Sequence, residues 1–517
     1  MYRLIPRLLL VLLFLLILGT PSTWGQETTY TCDWESLSRV NATPDWFLDA
    51  KFGIYTHWGP VSEALAESDS SRHYRGWHGM MMYMDGKKVE TANGNPSNNF
   101  LHHKEKYGDP ATYGYKQVIE QFRPTHFDAQ AWAELFAKSG AKFAGPVAMH
   151  HDNFAMWDSK ATRWNSMNYG GIDPSAELKK EIEARGMKFM ASFHHAFTWK
   201  YFAPAHAYGG ISPGDYDLYT NPHAIDSDTP DERFNEEWWA KIKEYMDTYQ
   251  PDLIWFDWWL ENMDEEIRKK FLAYYYNQAE VWGKEVVVSY KESTFNTDVA
   301  VKDYERGRPN QPKSPAWLTD TSPGAWFYRS NAKFKTPNEL IDILVDIVAK
   351  NGLMLLNVPP DPDGTIPQEM VDLLLHMGEW LEVNGDAIYG TRPYTVFGEG
   401  PTRLPEGGHK IEKLHIAYTA EDIRYTQKSD KEFYAIIMDT PQDEIVMKCL
   451  STHLGVLNSQ ILSIELLGSE EELAWKREER GLVIQAPSAF PTEHAHAFKI
   501  TLEGYTENDI GGGVAAH

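Results

Sequence analysis

Asp257 stands in the run PDLIWFDWWLEN (residues 251–262), flanked by Trp255, Phe256, Trp258 and Trp259. Taking an ionised carboxylate out of water costs on the order of several kcal/mol unless it is paired or its pKa moves. Asp257 is therefore either a satisfied structural acid or one whose surroundings are arranged for chemistry. Three His-His pairs, at 102–103, 150–151 and 194–195, add groups that hydrogen-bond a polyhydroxylated ligand or, if several converge, hold a metal ion. Neighbouring strand residues point to opposite faces, so one pair does not readily chelate one ion. A site drawing one His from each of several strand ends stays open, beside the plain alternative of buried imidazoles bonded to backbone.

The elements that must position these groups alternate along the chain. Strand-like runs occur at 51–58, 142–151, 187–195, 252–258, 285–290, 299–305, 325–329 and 353–358. Helical patterns fall at 128–138, 174–185, 235–249, 263–282, 337–350 and 367–383. Eight strands alternating with helices predict an α/β fold, a (β/α)8-like TIM barrel. A doubly wound sheet is the competitor, but no Gly-rich phosphate loop follows the first strand. After residue 390 the helical period stops, and short strands separated by turns predict a C-terminal β-sandwich.

His57, His150-His151, His194-His195, Asp257 and Asp303 with Glu305 all fall at strand C-terminal ends, the active-site face of a barrel. Alternation puts Leu253, Trp255 and Asp257 on the inward face and Ile254, Phe256 and Trp258 on the other. Asp257 is then the last inward member of an apolar series, at the floor of the barrel mouth. The long segment 59–127 is expected to cap that mouth.

The first residues carry Arg3 and Arg7 before an apolar run from Leu8 to Leu18, with small residues around Gly25. The pattern predicts a signal peptide over 1–25 and an exported protein, periplasmic or secreted, with no membrane span after cleavage. The expected domains are the barrel at 26–390, the sandwich at 391–506 and a tail at 507–517. A net charge of −25 argues against a nucleic-acid partner, and against polyanionic substrates unless a local basic pocket overcomes it. Two cysteines, Cys32 and Cys449, are too few for a zinc–thiolate site.

The chain resembles the retaining α-L-fucosidases of glycoside hydrolase family 29 over roughly residues 45–395. The resemblance lies in FGIYTHWG (52–59), HHDNFAMWDSK (150–160), DLIWFDWW (252–259), LLNVPPDPDGTIP (355–367) and GEWLEVNGDAIYGTRPY (378–394). It implies that Asp257 is the nucleophile of a two-step displacement, with His57, His150, His151 and Trp255 holding the sugar. His194 or His195 occupies a place where relatives carry Tyr, and Trp255 or Trp326 would form a wall for the C5 methyl of fucose. Glu305 is the first candidate for the acid/base and Glu292 the second, while Arg306 would hold substrate or nucleophile.

Departures from the family occur in the loop after the first strand, where Gly76-Trp77-His78 stands for a usual Glu-Trp-Tyr, with His78 or His73 as substitutes for the lost acid. A familiar Trp-Glu pair is replaced in WLTDTS (317–322), which removes one rival acid/base. The expectation is an exo-acting α-L-fucosidase acting on fucosylated oligosaccharides or glycoconjugates, without cofactor or metal. The alternatives are a glycosidase for a related sugar such as an α-L-galactoside, a non-catalytic sugar-binding protein, and a metal-dependent hydrolase. A homo-oligomer is left open.

Overall fold

The computed structural model describes residues 29–63, 75–329, 331–404 and 416–504. The expected signal peptide, the tail at 507–517 and His73 lie outside the described residues. Eight parallel strands form one sheet: β1 (Phe52–Thr56), β2 (Phe143–Met149), β3 (Lys188–Phe193), β4 (Leu253–Phe256), β5 (Val287–Tyr290), β6 (Val301–Lys302), β7 (Trp317–Thr321) and β8 (Gly352–Asn357). Their order is β6-β5-β4-β3-β2-β1-β8-β7, and a parallel bridge between Asp303 and Leu318 brings the two ends together. The sheet is thus a closed barrel, not the doubly wound alternative.

Around it pack α1 (Ala129–Lys138), α2 (Pro174–Glu183), α3 (Glu232–Tyr249), α4 (Glu265–Trp282), α5 (Pro337–Ala349) and α6 (Gln368–Asn384). Their starts are written locally. Asp128, Asp173, Asp231 and Asp264 cap α1 to α4 by accepting backbone N–H bonds, and Thr336 with Glu339 forms a capping box on α5. No described helix is long and apolar enough to cross a membrane.

The seventh strand is not the expected 325–329 but Trp317–Thr321, and the run at 325–329 is loop. AWFYR has strand-like residues, yet its aromatics serve the cavity wall, and WLTDT pairs with β8 from Trp317↔Gly352 to Thr321↔Leu356. The sixth strand shrinks from 299–305 to two residues. Among the described residues no helix separates β5, β6 and β7, so the βα alternation lapses there. The loops of this stretch carry Lys291, Glu305 and Arg306 to the mouth.

Each strand's inward series is apolar at depth. Tyr55, Phe143, Val147, Met190, Leu253, Trp255, Val287, Val301, Leu318, Leu353 and Leu355 form a single buried cluster, distinct from the outer layer that contains Ile54, Ile254, Phe256 and Leu356. Two to four residues further along the same faces the series turns polar: His57, His194, Asp257, Lys291, Asp303, Asp320 and Asn357. The floor of the site is the next layer of a packed barrel interior.

Beyond α6 lie β9 (Arg392–Glu399), β10 (Ile423–Ser429), β11 (Glu432–Ile437), β12 (Glu444–Met447), β13 (Ile461–Leu466), β14 (Trp475–Glu478), β15 (Gly481–Gln485) and β16 (His496–Leu502). They form an antiparallel five-stranded sheet, β13-β16-β11-β10-β9, and a three-stranded one, β12-β15-β14, around a shared core that includes Tyr425, Phe433, Met447 and Ile484. Cys449 is buried in this region and Cys32 is exposed, both as free thiols.

A buried ionic cluster joins this region to the barrel. Asp346 of α5 accepts from Lys350 at 2.8 Å and from Arg424 of β10 at 2.8 Å, with Arg308 at 3.5 Å. Burial would raise the Asp346 pKa, but the three cations outweigh it and hold it below the usual carboxylate range. Asp342, one turn earlier, is pushed up to about 8, chiefly by burial. A group whose folded pKa is raised stabilises fully below its unfolded value, about 4, and loses that contribution as pH climbs towards 8. Asp342→Asn, which cannot ionise, is therefore expected to lose less melting temperature than the wild type between about pH 5 and about pH 8. Parallel melts at the two pH values would count against this if both proteins lost the same.

Candidate active site

At the C-terminal mouth of the barrel a cavity of about 370 Å³ is lined by His57, Trp77, His150, His151, His194, Trp255, Asp257, Trp258, Lys291, Glu305, Arg306, Asp320, Trp326 and Phe327, with Arg75 and Arg329. That volume lies in the range of small-ligand sites. Rings make up much of the wall: Trp77 stacks on Trp258 with centroids 6.0 Å apart, and Trp326 lies 5.5 Å from His57. Trp77 reaches the wall from the long segment after β1. A Cβ on Gly76 would come within 2.7 Å of Phe327, so this backbone needs glycine to lie against the wall.

Asp257 follows β4 and is buried, with its backbone N–H donating to Phe193 O at 3.2 Å. Lys291 donates to its Oδ1 at 3.0 Å, and His194 donates from Nδ1 to its Oδ2 at 3.1 Å. His151 Nε2 stands 3.5 Å from the same oxygen. Burial would raise the pKa of Asp257, but Lys291, His194 and His151 outweigh it and hold the carboxyl well below its ordinary value. The acid in the aromatic run is thus held ionised at the cavity.

Lys291 is the hub. Its ammonium also donates to Glu305 Oε2 at 2.6 Å and Asp320 Oδ2 at 3.3 Å, and lies 4.7 Å from the Trp255 ring centroid. Burial would lower its pKa, but Asp257, Asp320, Glu305 and Asp303 push it well above the ordinary lysine value. Because one nitrogen touches both, the Asp257 and Glu305 oxygens are separated by less than the sum of those two contacts. Retaining glycosidases space their two carboxyls at about 5–5.5 Å.

One cation faces four carboxyls here, and the balance is met by retained protons. Burial and the neighbouring Asp320 push Asp303 well above the carboxylate range, and burial raises Asp320 as well. The two carboxyls act on each other's titration, and Oδ1 of each is buried without a hydrogen-bond partner, which a proton retained on the pair would satisfy. Trp255 Nε1 donates to Asp303 Oδ2 at 2.9 Å and Tyr55 OH donates to Asp320 Oδ2 at 2.9 Å, fixing the pair from outside.

The histidines are set as acceptors. Burial, with His194 adding to it, holds His57 well below its ordinary pKa, and burial takes His151 to about 4, so both are neutral at physiological pH. His57 Nδ1 meets Asn357 Oδ1 at 2.9 Å, and Asn357 Nδ2 donates to Trp326 O at 2.8 Å, which fixes that amide. His151 Nδ1 meets His194 O at 2.8 Å. With Nδ1 carrying the proton, the His57 Nε2 lone pair is left to accept from hydroxyls, whereas His151 Nε2 faces the Asp257 carboxylate.

One nitrogen each from His57, His150 and His194 also converge within 4.8 Å, a spacing that three imidazoles could use to hold an ion. His194 already has Nδ1 on Asp257 and Nε2 on Ser192 Oγ at 2.7 Å, so ligation would break one of those bonds.

Three expected site residues lie elsewhere. His78 is buried between helices, with Nε2 3.3 Å from His103 Nδ1 and Nδ1 3.3 Å from Asn99 Nδ2. His195 stacks on Trp238, its centroid 5.8 Å away, because only the first of the two adjacent histidines can face inward. Glu292 is exposed and outside the lining, one residue past the inward Lys291. His150 and His151 both reach the cavity because the β2 register shifts between Val147 and Met149. Trp258, expected on the opposite face from Asp257, also lines the cavity, since β4 ends at Phe256 and alternation stops with it.

Sequence reasoning missed Lys291, Asp320, Arg75 and Arg329. Lys291 could have been found as the inward residue two places beyond Ser289. Asp320 was hidden by the misplaced seventh strand, and it puts an acid back into the stretch where the familiar Trp-Glu pair is absent.

Residues 18–386 match the family model described as alpha-L-fucosidase, and residues 417–501 match that of the alpha-L-fucosidase C-terminal domain. The chain is 26% identical to an alpha-L-fucosidase of Dictyostelium discoideum, covering 96% of this chain and 99% of the relative. It is 29% identical to the tissue alpha-L-fucosidase of Rattus norvegicus, covering 91% and 92%. Among solved structures, a Thermotoga maritima alpha-fucosidase in complex with a mechanism-based inhibitor superimposes with a TM-score of 0.71 at 26% identity, covering 91% of this chain and 100% of that one.

Proposed function

The chain belongs to the alpha-L-fucosidase family and is a retaining glycoside hydrolase that removes terminal α-L-fucosyl residues, and from that premise we propose how its own residues divide the work. Asp257 attacks the anomeric carbon while Glu305 donates a proton to the departing glycosidic oxygen. The resulting fucosyl ester on Asp257 is then hydrolysed by a water that Glu305 deprotonates, and two inversions return the original anomer. The observation that carries this assignment is the single ammonium of Lys291 bonded to both carboxyls, which keeps Asp257 ionised and brings an oxygen of each acid close enough to act on one glycosidic bond.

Glu305 must carry a proton when substrate is bound, and burial favours the protonated form of Asp303 within the same network. His57 accepts from sugar hydroxyls through Nε2, His150, His151 and His194 complete that side, and Trp255, Trp326 and Trp77 bound the ring. A cavity built only to bind would not require a buried nucleophile held ionised against its desolvation, which favours the catalytic reading over the sugar-binding one. The basic and then apolar leader from Arg3 to Leu18 supports export.

The assignment of the acid is tested by leaving-group dependence. Glu305→Ala is expected to slow an alkyl or natural fucoside by roughly 10²–10⁴-fold while sparing a dinitrophenyl fucoside in its first step, since only poor leaving groups need protonation. Glu292→Ala should leave both rates near wild type. The reverse pattern between these two variants would transfer the role to Glu292.

A further inference from the structure

The cavity is basic in a strongly acidic protein. Around it stand Arg75, Lys291, Arg306 and Arg329 against Asp257, Glu305 and Asp320, whereas the whole chain has 74 acidic and 49 basic residues. Lys291 is committed to the three carboxyls. Among the arginines, Arg75 acts on the carboxyl of Asp361, opposing the rise that burial gives its pKa, so the charge left to account for is that of Arg306.

Arg306 is the most telling of them. It directly follows Glu305, in a left-handed conformation with φ of 46°. Such strain in a non-glycine residue persists where the surroundings fix it. Its guanidinium lies over Trp326 with 4.3 Å between Cζ and the ring centroid, and Nη2 donates to Gly324 O at 2.8 Å. Nε is buried without a hydrogen-bond partner, and no carboxylate lies within ion-pair distance of this side chain among the described residues. A planar fork held over an indole, with donor capacity unspent, is suited to a tetrahedral or planar oxyanion. Arg75, buried, and Arg329, half-buried, line the same cavity and raise its positive potential.

We propose that Arg306, with Arg75 and Arg329, binds an oxyanion on the leaving-group side of the substrate, so that the enzyme acts on anionic fucosylated glycans in which the unit next to the fucose carries a sulfate ester or a carboxylate. The side follows from position: the residue after Glu305 stands beside the oxygen that Glu305 protonates. The net charge of the chain does not oppose this at close range, because at physiological ionic strength charges beyond about 8 Å are largely screened. The inference rests on the fucosidase reading and on Glu305 as its acid.

The test compares three fucosyl disaccharides that differ only in the leaving sugar: neutral, sulfated, and oxidised to the uronate. For the wild type, kcat/KM for at least one anionic substrate is expected to exceed the neutral one by about tenfold or more, as one charge-assisted contact supplies. The sulfated and uronate arms tell which oxyanion is read. Arg306→Gln and Arg329→Gln should each bring the ratio towards one. Calorimetry of the same disaccharides on the Asp257→Asn protein reads the preference without turnover. Failure to cleave an aryl fucoside would sink the fucosidase reading, and the calorimetric ratio would still decide the oxyanion. A neutral disaccharide cleaved and bound as well as both anionic ones overturns the proposal. So does a preference that both arginine variants keep.

Discussion

Asp257→Gly is expected to lower turnover of an aryl α-L-fucoside by on the order of 10⁴-fold, the scale on which an enzyme loses rate when its nucleophile is removed. The carboxylate stands on the barrel floor, held ionised and lining the cavity. Its removal leaves His194 and His151 without their anionic partner but keeps Glu305 on Lys291. The vacated space should admit azide, which would enter where the carboxylate attacked and yield the fucosyl azide of inverted configuration. An acid/base variant rescued by azide would instead give the retained anomer, because there the first displacement still occurs on Asp257. NMR of the product distinguishes the two. Residual turnover within tenfold of wild type, or a retained azide from Asp257→Gly, would remove Asp257 from the nucleophile's role.

Lys291→Met should have the second largest effect, and it separates positioning from mere packing. Methionine matches much of the stem but leaves Asp257, Glu305 and Asp320 without their shared cation. Two consequences follow. Buried carboxylates stripped of their partner destabilise the fold by about 3–5 kcal/mol. The pKa of Asp257, held down by Lys291 in the first place among its neighbours, rises towards neutrality. A base whose pKa rises must be titrated at higher pH before it acts, so the acidic limb of kcat/KM moves upward. At neutral pH kcat is expected to fall by roughly 10²–10³-fold, as for loss of a preorganised charge. Lys291→Arg, which keeps the charge, should restore the position of the limb more fully than the rate. An acidic limb left in place by Lys291→Met would show that the ammonium only fills space.

The histidines illustrate how far local pattern carries. Position at a strand's C-terminal end correctly marks His57 and His194 as inward, because side-chain direction along a strand is a local property. The same rule, applied pair by pair, should have left His195 out, and it does stack on Trp238. It fails for His150-His151 for the opposite reason: a shift in register with β3 lets both reach the cavity, and register is set between strands. His78 was carried to the site by comparison with a family motif, but packing between two helices of the long loop claims it.

The sequence by itself determined the barrel, the C-terminal sheets, the capped helices and Asp257 as the acid at the end of an apolar inward series, since each follows from periodicity and caps within a short stretch of chain. Tertiary structure alone decided that Lys291 is the shared partner of three carboxyls, that burial beside Asp320 drives Asp303 above the carboxylate range, and that Arg306 lies on Trp326 with donor capacity to spare. These facts depend on strands distant in sequence meeting around one closed ring. The charge state of a buried acid is set by whatever that closure brings within a few ångströms, and no local pattern encodes it.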